Sequence, residues 1–164
     1  MFNKLFKNKN VESKTSIYAP VDGEVIPLEE VPDPVFSGKL MGDGIAIKPA
    51  NGKVVSPVQG EIIQVFPTKH AIGVRTKNGV EILLHIGLET VNLKGEGFTV
   101  FVKEGDLVNV GDKILDFNKE IIEEKASSTI TPIIIMNSDK ISDIQYSTKN
   151  DVTAGKDEIL VIEK

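Results

Sequence analysis

The chain of 164 residues carries 19 basic and 24 acidic side chains, a formal charge of −5, and no cysteine. That length suits one domain around one core. The acidic balance excludes nucleic acid as the main partner, since phosphate binding needs a basic face. The missing thiol excludes disulfides, a thiolate metal site and a cysteine nucleophile, and fits a cytosolic protein. No apolar run approaches the roughly 18 residues needed to span a bilayer.

Residues 1–15 read as a flexible tail, and residues 16–164 as a single domain. The opening MFNKLFKNKN is not a signal peptide, because its apolar residues form no continuous core. Met1, Phe2, Leu5 and Phe6 fall at helical spacing with Lys4, Lys7 and Lys9 between them. Two readings fit that pattern: an unstructured tail, or a short amphipathic helix that touches anionic membrane.

From Ser16 onward, glycine, proline or asparagine interrupts the chain at intervals of roughly 8–12 residues, as in sandwiches and barrels. The β-rich runs between them are GIAIKPA, GEIIQVF, AIGVRT, VEILLHI, TVFV, ITPIIIM and EILVIEK. They predict an all-β fold, a compact antiparallel β-sandwich or barrel-sandwich with one or two short helical turns. Residues 119–126 read as helix behind an Asn118 cap. Pro20-Val21-Asp22-Gly23-Glu24-Val25-Ile26 and Pro57-Val58-Gln59-Gly60-Glu61-Ile62-Ile63 share one pattern, which predicts an internally duplicated motif. The EGDLVNVGD stretch at 104–112 has the flavour of biotin and lipoyl carriers, but no lysine sits at a recognisable hairpin tip. Its glycines and aspartates read as turn formers.

His70 and His85 are the two histidines of the chain, and both lie in apolar, strand-like runs. Asn78-Gly79 between them is a type I′ turn signal. A two-residue loop there would pair Lys77 with Val80, Ile72 with His85 and His70 with Gly87. Alternation would then place Thr68, His70, Ile72 and Val74 on one face with Leu83, His85 and Gly87. Ile82, Leu84 and Ile86 would share the other face with Ala71 and Gly73. The two imidazoles become diagonal neighbours, roughly 7 Å apart at Cβ. Two protonated rings about 4 Å apart would repel by about 1 kcal/mol in water and about 4 kcal/mol at an effective dielectric of 20. At least one ring is therefore expected to be neutral near pH 7, with a free lone pair for nucleophilic attack or metal ligation.

The stretch GVEILLHIGLETV at 79–91 resembles the signature of the glucose-type IIA component of the bacterial phosphoenolpyruvate-dependent sugar phosphotransferase system. PDPVF at 32–36, MGDGIAI at 41–47, LKGEGF at 93–98 and EKA at 124–126 resemble that family in colinear order. The resemblance implies a phosphoryl carrier. His85 would take a phosphoryl group from phospho-HPr and pass it to a cysteine on the IIB domain of a glucose-type permease during sugar uptake. It also implies that His70 stabilises the phosphoryl group, that Thr68 orients His70, and that a backbone carbonyl near Gly87 fixes the His85 tautomer. Partner contacts would fall on Asp33, Val35, Phe36, Leu40, Met41, Phe66, Leu83, Glu89 and Val91, with Phe36 the residue expected to be exposed. Glu89 stands where the family often has aspartate.

No cofactor is required, and the chain has no P-loop pattern. The family's unphosphorylated form is a regulator of other sugar transporters or kinases, in which His70 and His85 can share zinc with a partner's carboxylate. The protein is expected to be a cytoplasmic monomer, transiently at the inner face of the cell membrane. A zinc peptidase of related fold would need an HxH pair and a third histidine, which this chain lacks. Removing residues 1–13 is expected to abolish liposome binding if the tail is an amphipathic anchor, and to leave sedimentation with anionic vesicles unchanged if it is not.

Overall fold

The computed structural model describes residues 14–164. The tail reading falls outside them, apart from the first residues of the first strand. The strands in chain order are β1 (Lys14–Tyr18), β2 (Gly23–Pro27), β3 (Asp43–Pro49), β4 (Lys53–Val55), β5 (Gly60–Val65), β6 (Ala71–Arg75), β7 (Glu81–His85), β8 (Phe98–Val100), β9 (Leu107–Val108), β10 (Lys113–Phe117), β11 (Thr131–Ile135), β12 (Asp143–Tyr146), β13 (Asp151–Val152) and β14 (Glu158–Glu163). Every run predicted as β contributes a strand. Two α-helical segments interrupt them, α1 (Pro34–Ser37) and α2 (Lys119–Lys125). The Asn118 side chain accepts the Ile121 N–H at 3.1 Å, so the expected cap opens α2. The two helices match the one or two short helical turns expected, and three 3-10 turns, at Leu28–Glu30, Thr90–Leu93 and Ser138–Lys140, join them among the described residues. At three or four residues each, they are too short to show a 3.6-residue pattern.

The strands form one eight-stranded antiparallel sheet, in the order β13-β2-β3-β11-β7-β6-β5-β9, and two three-stranded sheets, β1-β14-β12 and β4-β10-β8. The larger hydrophobic cluster joins Ile17 and Ile162 of one small sheet and Ile114 and Leu115 of the other to Ile45, Ile72, Leu84 and Ile133 of the large sheet. Both small sheets therefore pack on one face of the large one. A second cluster, containing Leu28, Phe36, Ala46, Ala71, Leu83 and Ile134, covers part of the opposite face. Buried on both faces, β11 shows a continuous apolar run from Pro132 to Ile135 instead of alternation.

The duplication is physical. The Tyr18 N–H donates to Pro57 O and the Val55 N–H to Pro20 O, so the two copies of the repeated stretch clasp each other reciprocally. Val152 pairs with Gly23 as Val108 pairs with Gly60, and Asp151 pairs with Glu24 as Leu107 pairs with Glu61. The second half, β4 to β10, is thus inserted between β3 and β11 of the first. Lys48 opposite Glu24 matches Arg75 opposite Glu61. Asp43 and His70 stand the same distance before those basic residues, so they occupy equivalent places in the two halves.

The β6–β7 hairpin corrects the expected register. Ala71 pairs with His85 and Ile72 with Leu84, one residue away from the sequence reading. The Gly79 N–H donates to Thr76 O, and Gly79 has φ +92°. The Thr76 N–H donates to Val80 O, so three residues form the loop, not two. Asn78 is not in the left-handed region, whereas a type I′ turn would need it there. The faces change accordingly. Ile72, Val74, Ile82, Leu84 and Ile86 belong to the larger core, and Ala71 and Leu83 to the smaller.

The buried β11 position should be sensitive and the exposed β9 edge should not. Ile133→Ala is expected to cost about 2–5 kcal/mol, and Leu107→Ala, at 83% exposure, to stay within about 0.5 kcal/mol. Urea unfolding of the two variants checks this.

Candidate active site

The corrected register would put the histidines on opposite faces if both lay in regular strands. They meet because His70 does not. It precedes β6, in a tight turn where the Lys69 N–H donates to Phe66 O at 2.7 Å and Lys69 takes φ +63°. The chain reverses there, and period-two alternation no longer directs the His70 side chain. The backbone ladder ends at His70 O, which accepts the Ile86 N–H at 2.7 Å. The ring centroids of His70 and His85 are 4.9 Å apart, with the planes 76° from parallel.

Each ring is held at Nδ1. His85 Nδ1 lies 2.8 Å from Gly87 O. A carbonyl only accepts, so Nδ1 carries the proton and donates, and the neutral ring keeps its lone pair on Nε2. Gly87 can aim that carbonyl because its φ is +78°, and a Cβ there would stand 2.6 Å from Thr90 Cγ2 and 2.8 Å from Ser128 O. The loop is braced from below: the Thr90 hydroxyl donates to Ile86 O at 2.6 Å, and the Leu88 N–H to Ser128 O at 2.9 Å. His70 Nδ1 lies 2.7 Å from the Thr68 hydroxyl. Of the described side-chain nitrogens and oxygens, only Asp116 Oδ1 is both buried and unpartnered. Neither Nε2 makes a hydrogen bond among the described residues; His70 is only 4% exposed and His85 is partly buried.

The rings sit in apolar surroundings. Phe36 packs on His85 with centroids 4.9 Å apart, and Phe66 on His70 at 5.5 Å. Burial, reinforced by the neighbouring His85, pushes the pKa of His70 down to about 4. Burial also lowers that of His85, against the Gly87 carbonyl and the Asp33 charge, which favour its protonated form. Both rings therefore favour the neutral form near pH 7.

Of the residues expected to meet partners, Phe36 is only 4% exposed and Leu83 1%, which corrects the reading of Phe36 as the exposed one. The cause is local. The Asp33 carboxylate accepts the Val35 N–H and caps α1, which turns Phe36 inward and Val35 outward. Val35, Leu40, Met41 and Val91 are exposed, with Leu40 at 75%. Phe66 is partly buried. Glu89 takes φ +59° and accepts the Ser127 hydroxyl. Ser127, Ser128 and Thr90 support the site and were not read from the sequence. The two serines lie some forty residues downstream in an unpatterned loop, and Thr90 looks like any strand-exit hydroxyl.

No group of three or more histidine, cysteine, aspartate or glutamate side chains among the described residues could hold a metal. Two neutral imidazoles can supply at most half of a tetrahedral zinc site, so zinc would need ligands from a partner.

The His70 shift has a definite sign. Its ordinary pKa is 6.5 and its folded value is about 4, so between these values the unfolded chain binds more protons. Its contribution to stability is complete above about pH 6.5 and is lost as pH falls from there towards 4. Histidine ring NMR is expected to show His70 titrating near 4, and His70→Gln to flatten the stability profile across that window.

Comparison with known proteins identifies the family. Residues 15–141 match the model of the phosphoenolpyruvate-dependent sugar phosphotransferase system EIIA 1 family. The chain is 58% identical over 163 residues to the PTS system glucose-specific EIIA component of Oceanobacillus iheyensis, covering 99% of both chains. It is 52% identical over 162 residues to the protein of that name from Bacillus anthracis, covering 99% of this chain and 98% of that protein. Among solved structures it is similar to the glucose permease IIA of Mycoplasma capricolum, with TM-score 0.84 and 41% identity, covering 90% of this chain and 95% of that one. The chain belongs to the EIIA family of the phosphoenolpyruvate-dependent sugar phosphotransferase system.

Proposed function

We propose that this phosphoryl carrier of sugar uptake takes its phosphoryl group on His85 Nε2. The observation that supports this most directly is the bond between His85 Nδ1 and the Gly87 carbonyl, 2.8 Å long, which leaves Nε2 as the nucleophilic atom. The donor is phospho-HPr. Its N–P bond breaks as the P–Nε2 bond forms, and the donor imidazole keeps the electron pair. The new bond places positive charge on the His85 ring, which the Nδ1–H···O=C bond stabilises. In the next step the P–Nε2 bond breaks and a P–S bond forms on a cysteine of the IIB domain. Such transfers depend on positioning and on stabilising the charge of the equatorial oxygens.

His70 supplies that stabilisation. When the Thr68 hydroxyl donates to Nδ1, the proton of the neutral ring lies on Nε2, in a ring packed edge-on against His85. There it can donate to a phosphoryl oxygen. Its low pKa keeps it a neutral donor, so the electrostatic benefit is modest and directional. The exposed Val35, Leu40, Met41 and Val91 form the partner rim, which excludes water from the phosphohistidine on docking. The names of the relatives point to glucose as the sugar. No helix among the described residues is long and apolar enough to cross a membrane; we place the carrier in the cytoplasm, meeting its permease at the inner face of the membrane.

With phosphoenolpyruvate, enzyme I and HPr, the wild-type protein is expected to gain acid-labile phosphate. His85→Ala should gain none. His70→Ala should still be labelled but should transfer to the IIB domain about 100- to 1000-fold more slowly, the usual loss for one charge-stabilising donor. Normal labelling of His85→Ala would sink the assignment.

A further inference from the structure

Three of the four rim residues, Val35, Leu40 and Met41, are carried by one long loop. In the second half of the fold, β5 and β6 are joined by the short turn at 66–70. In the first half, the equivalent connection between β2 and β3 runs from residue 28 to residue 42 and carries α1, Val35, Leu40 and Met41. It winds tightly: the Leu40 N–H donates to Val35 O at 3.1 Å and the Gly42 N–H to Lys39 O at 3.2 Å, with Lys39 at φ +58° and Gly42 at φ +134°. Its last anchor is Asp43, which stands where His70 stands in the other half.

Asp43 is a junction of four groups. Its carboxylate accepts the Tyr146 hydroxyl at 2.6 Å and the Gly44 N–H at 2.8 Å, and pairs with Lys39 Nζ at 3.4 Å. Its own N–H donates to Ser138 Oγ at 3.2 Å. Tyr146 ends β12, an edge strand of the sheet built from the two ends of the domain. Burial opposes ionisation of Asp43, but the Tyr146 and Gly44 hydrogen bonds and the Lys39 charge hold its carboxyl below the ordinary range. Burial and Asp43 push the Tyr146 phenol upward. The pair is thus an ionised acceptor and a protonated donor across the physiological range.

We propose that the Asp43–Tyr146 bond is a positioning device for partner recognition: it ties the 28–42 loop to the C-terminal sheet and so sets where Leu40 and Met41 stand for the incoming protein. Neither residue touches the histidines, and neither acts on the phosphoryl group. The inference rests on the reading of His85 as an acceptor served by a protein donor.

The test compares two donors on the whole chain. Phospho-HPr needs the rim, whereas phosphoramidate, a small donor, reaches His85 without it. Tyr146→Phe removes one hydroxyl from a half-exposed ring and is expected to raise the KM for phospho-HPr roughly three- to tenfold. The kcat and the phosphoramidate rate should stay unchanged. Asp43→Asn keeps an acceptor for Tyr146 and should show a smaller rise. A Tyr146→Phe protein with wild-type KM, or one slowed equally with both donors, overturns the inference. A wild-type protein labelled on His85 by neither donor overturns this inference together with the reading beneath it.

Discussion

A carbonyl oxygen cannot donate a hydrogen bond, and this asymmetry at Gly87 organises the site. Because Gly87 O faces His85 Nδ1, the ring has one tautomer available when neutral, with its lone pair on Nε2. Several supports converge on that carbonyl. Gly87 takes a backbone angle that side-chain-bearing residues rarely adopt, Thr90 holds the preceding carbonyl, and Ser128 holds the following amide. The Ile122 side chain of α2 lies 3.4 Å from where a Gly87 Cβ would be. The α2 helix is itself attached to the 93–98 loop, through Asn118 N–H to Gly97 O and the Lys125–Glu96 pair. The Lys125–Glu96 pair is exposed and contributes little stability. What it shows is that sequence motifs distant along the chain converge around Gly87.

The site also depends on where the fold is incomplete. Among the described residues, the large sheet is covered on one face by two smaller sheets and on the other by a smaller cluster that includes Leu28, Val31 and Phe36 of the 28–42 loop and Leu88. That second face supplies a floor of Ala71, Leu83 and Ile134 beside a buried His70 and a partly buried His85. Burial keeps the imidazoles neutral, while the open side lets another protein approach. A deeper site would exclude the partner, and a shallower one would let His70 charge.

The sequence carried much of this, for identifiable reasons. The apolar runs between turn formers located β3, β5, β6, β7 and β11 of the large sheet and β8 and β14 of the smaller ones, and the Asn118 cap located α2; the two-residue β9 and β13 are too short to show a pattern. The repeated PVxGE stretch foretold a duplication that the reciprocal Tyr18–Pro57 and Val55–Pro20 bonds make concrete. The hairpin was legible in outline only. Asn-Gly favours a two-residue loop, but the Thr76 carbonyl and amide close a three-residue one around Gly79, and the register moves by one. The histidines were nonetheless placed together, because a second departure compensates: Lys69 bends the chain before β6 and turns His70 to the face of His85. Phe36 turns inward because the Asp33 side chain caps α1 and sets which of its residues faces the core, a bond that the PDPVF string does not announce. The Asp43–Tyr146 contact joins residues 103 positions apart, and no local pattern announces it.

The central claim is atomic, that the phosphoryl group bonds to Nε2 of His85. Nitrogen-15 NMR of the phosphorylated protein, read through phosphorus–nitrogen coupling, tests it most directly. The account predicts coupling to His85 Nε2, with Nδ1 still protonated and His70 unmodified. Coupling to Nδ1 of His85, or to either nitrogen of His70, would contradict it.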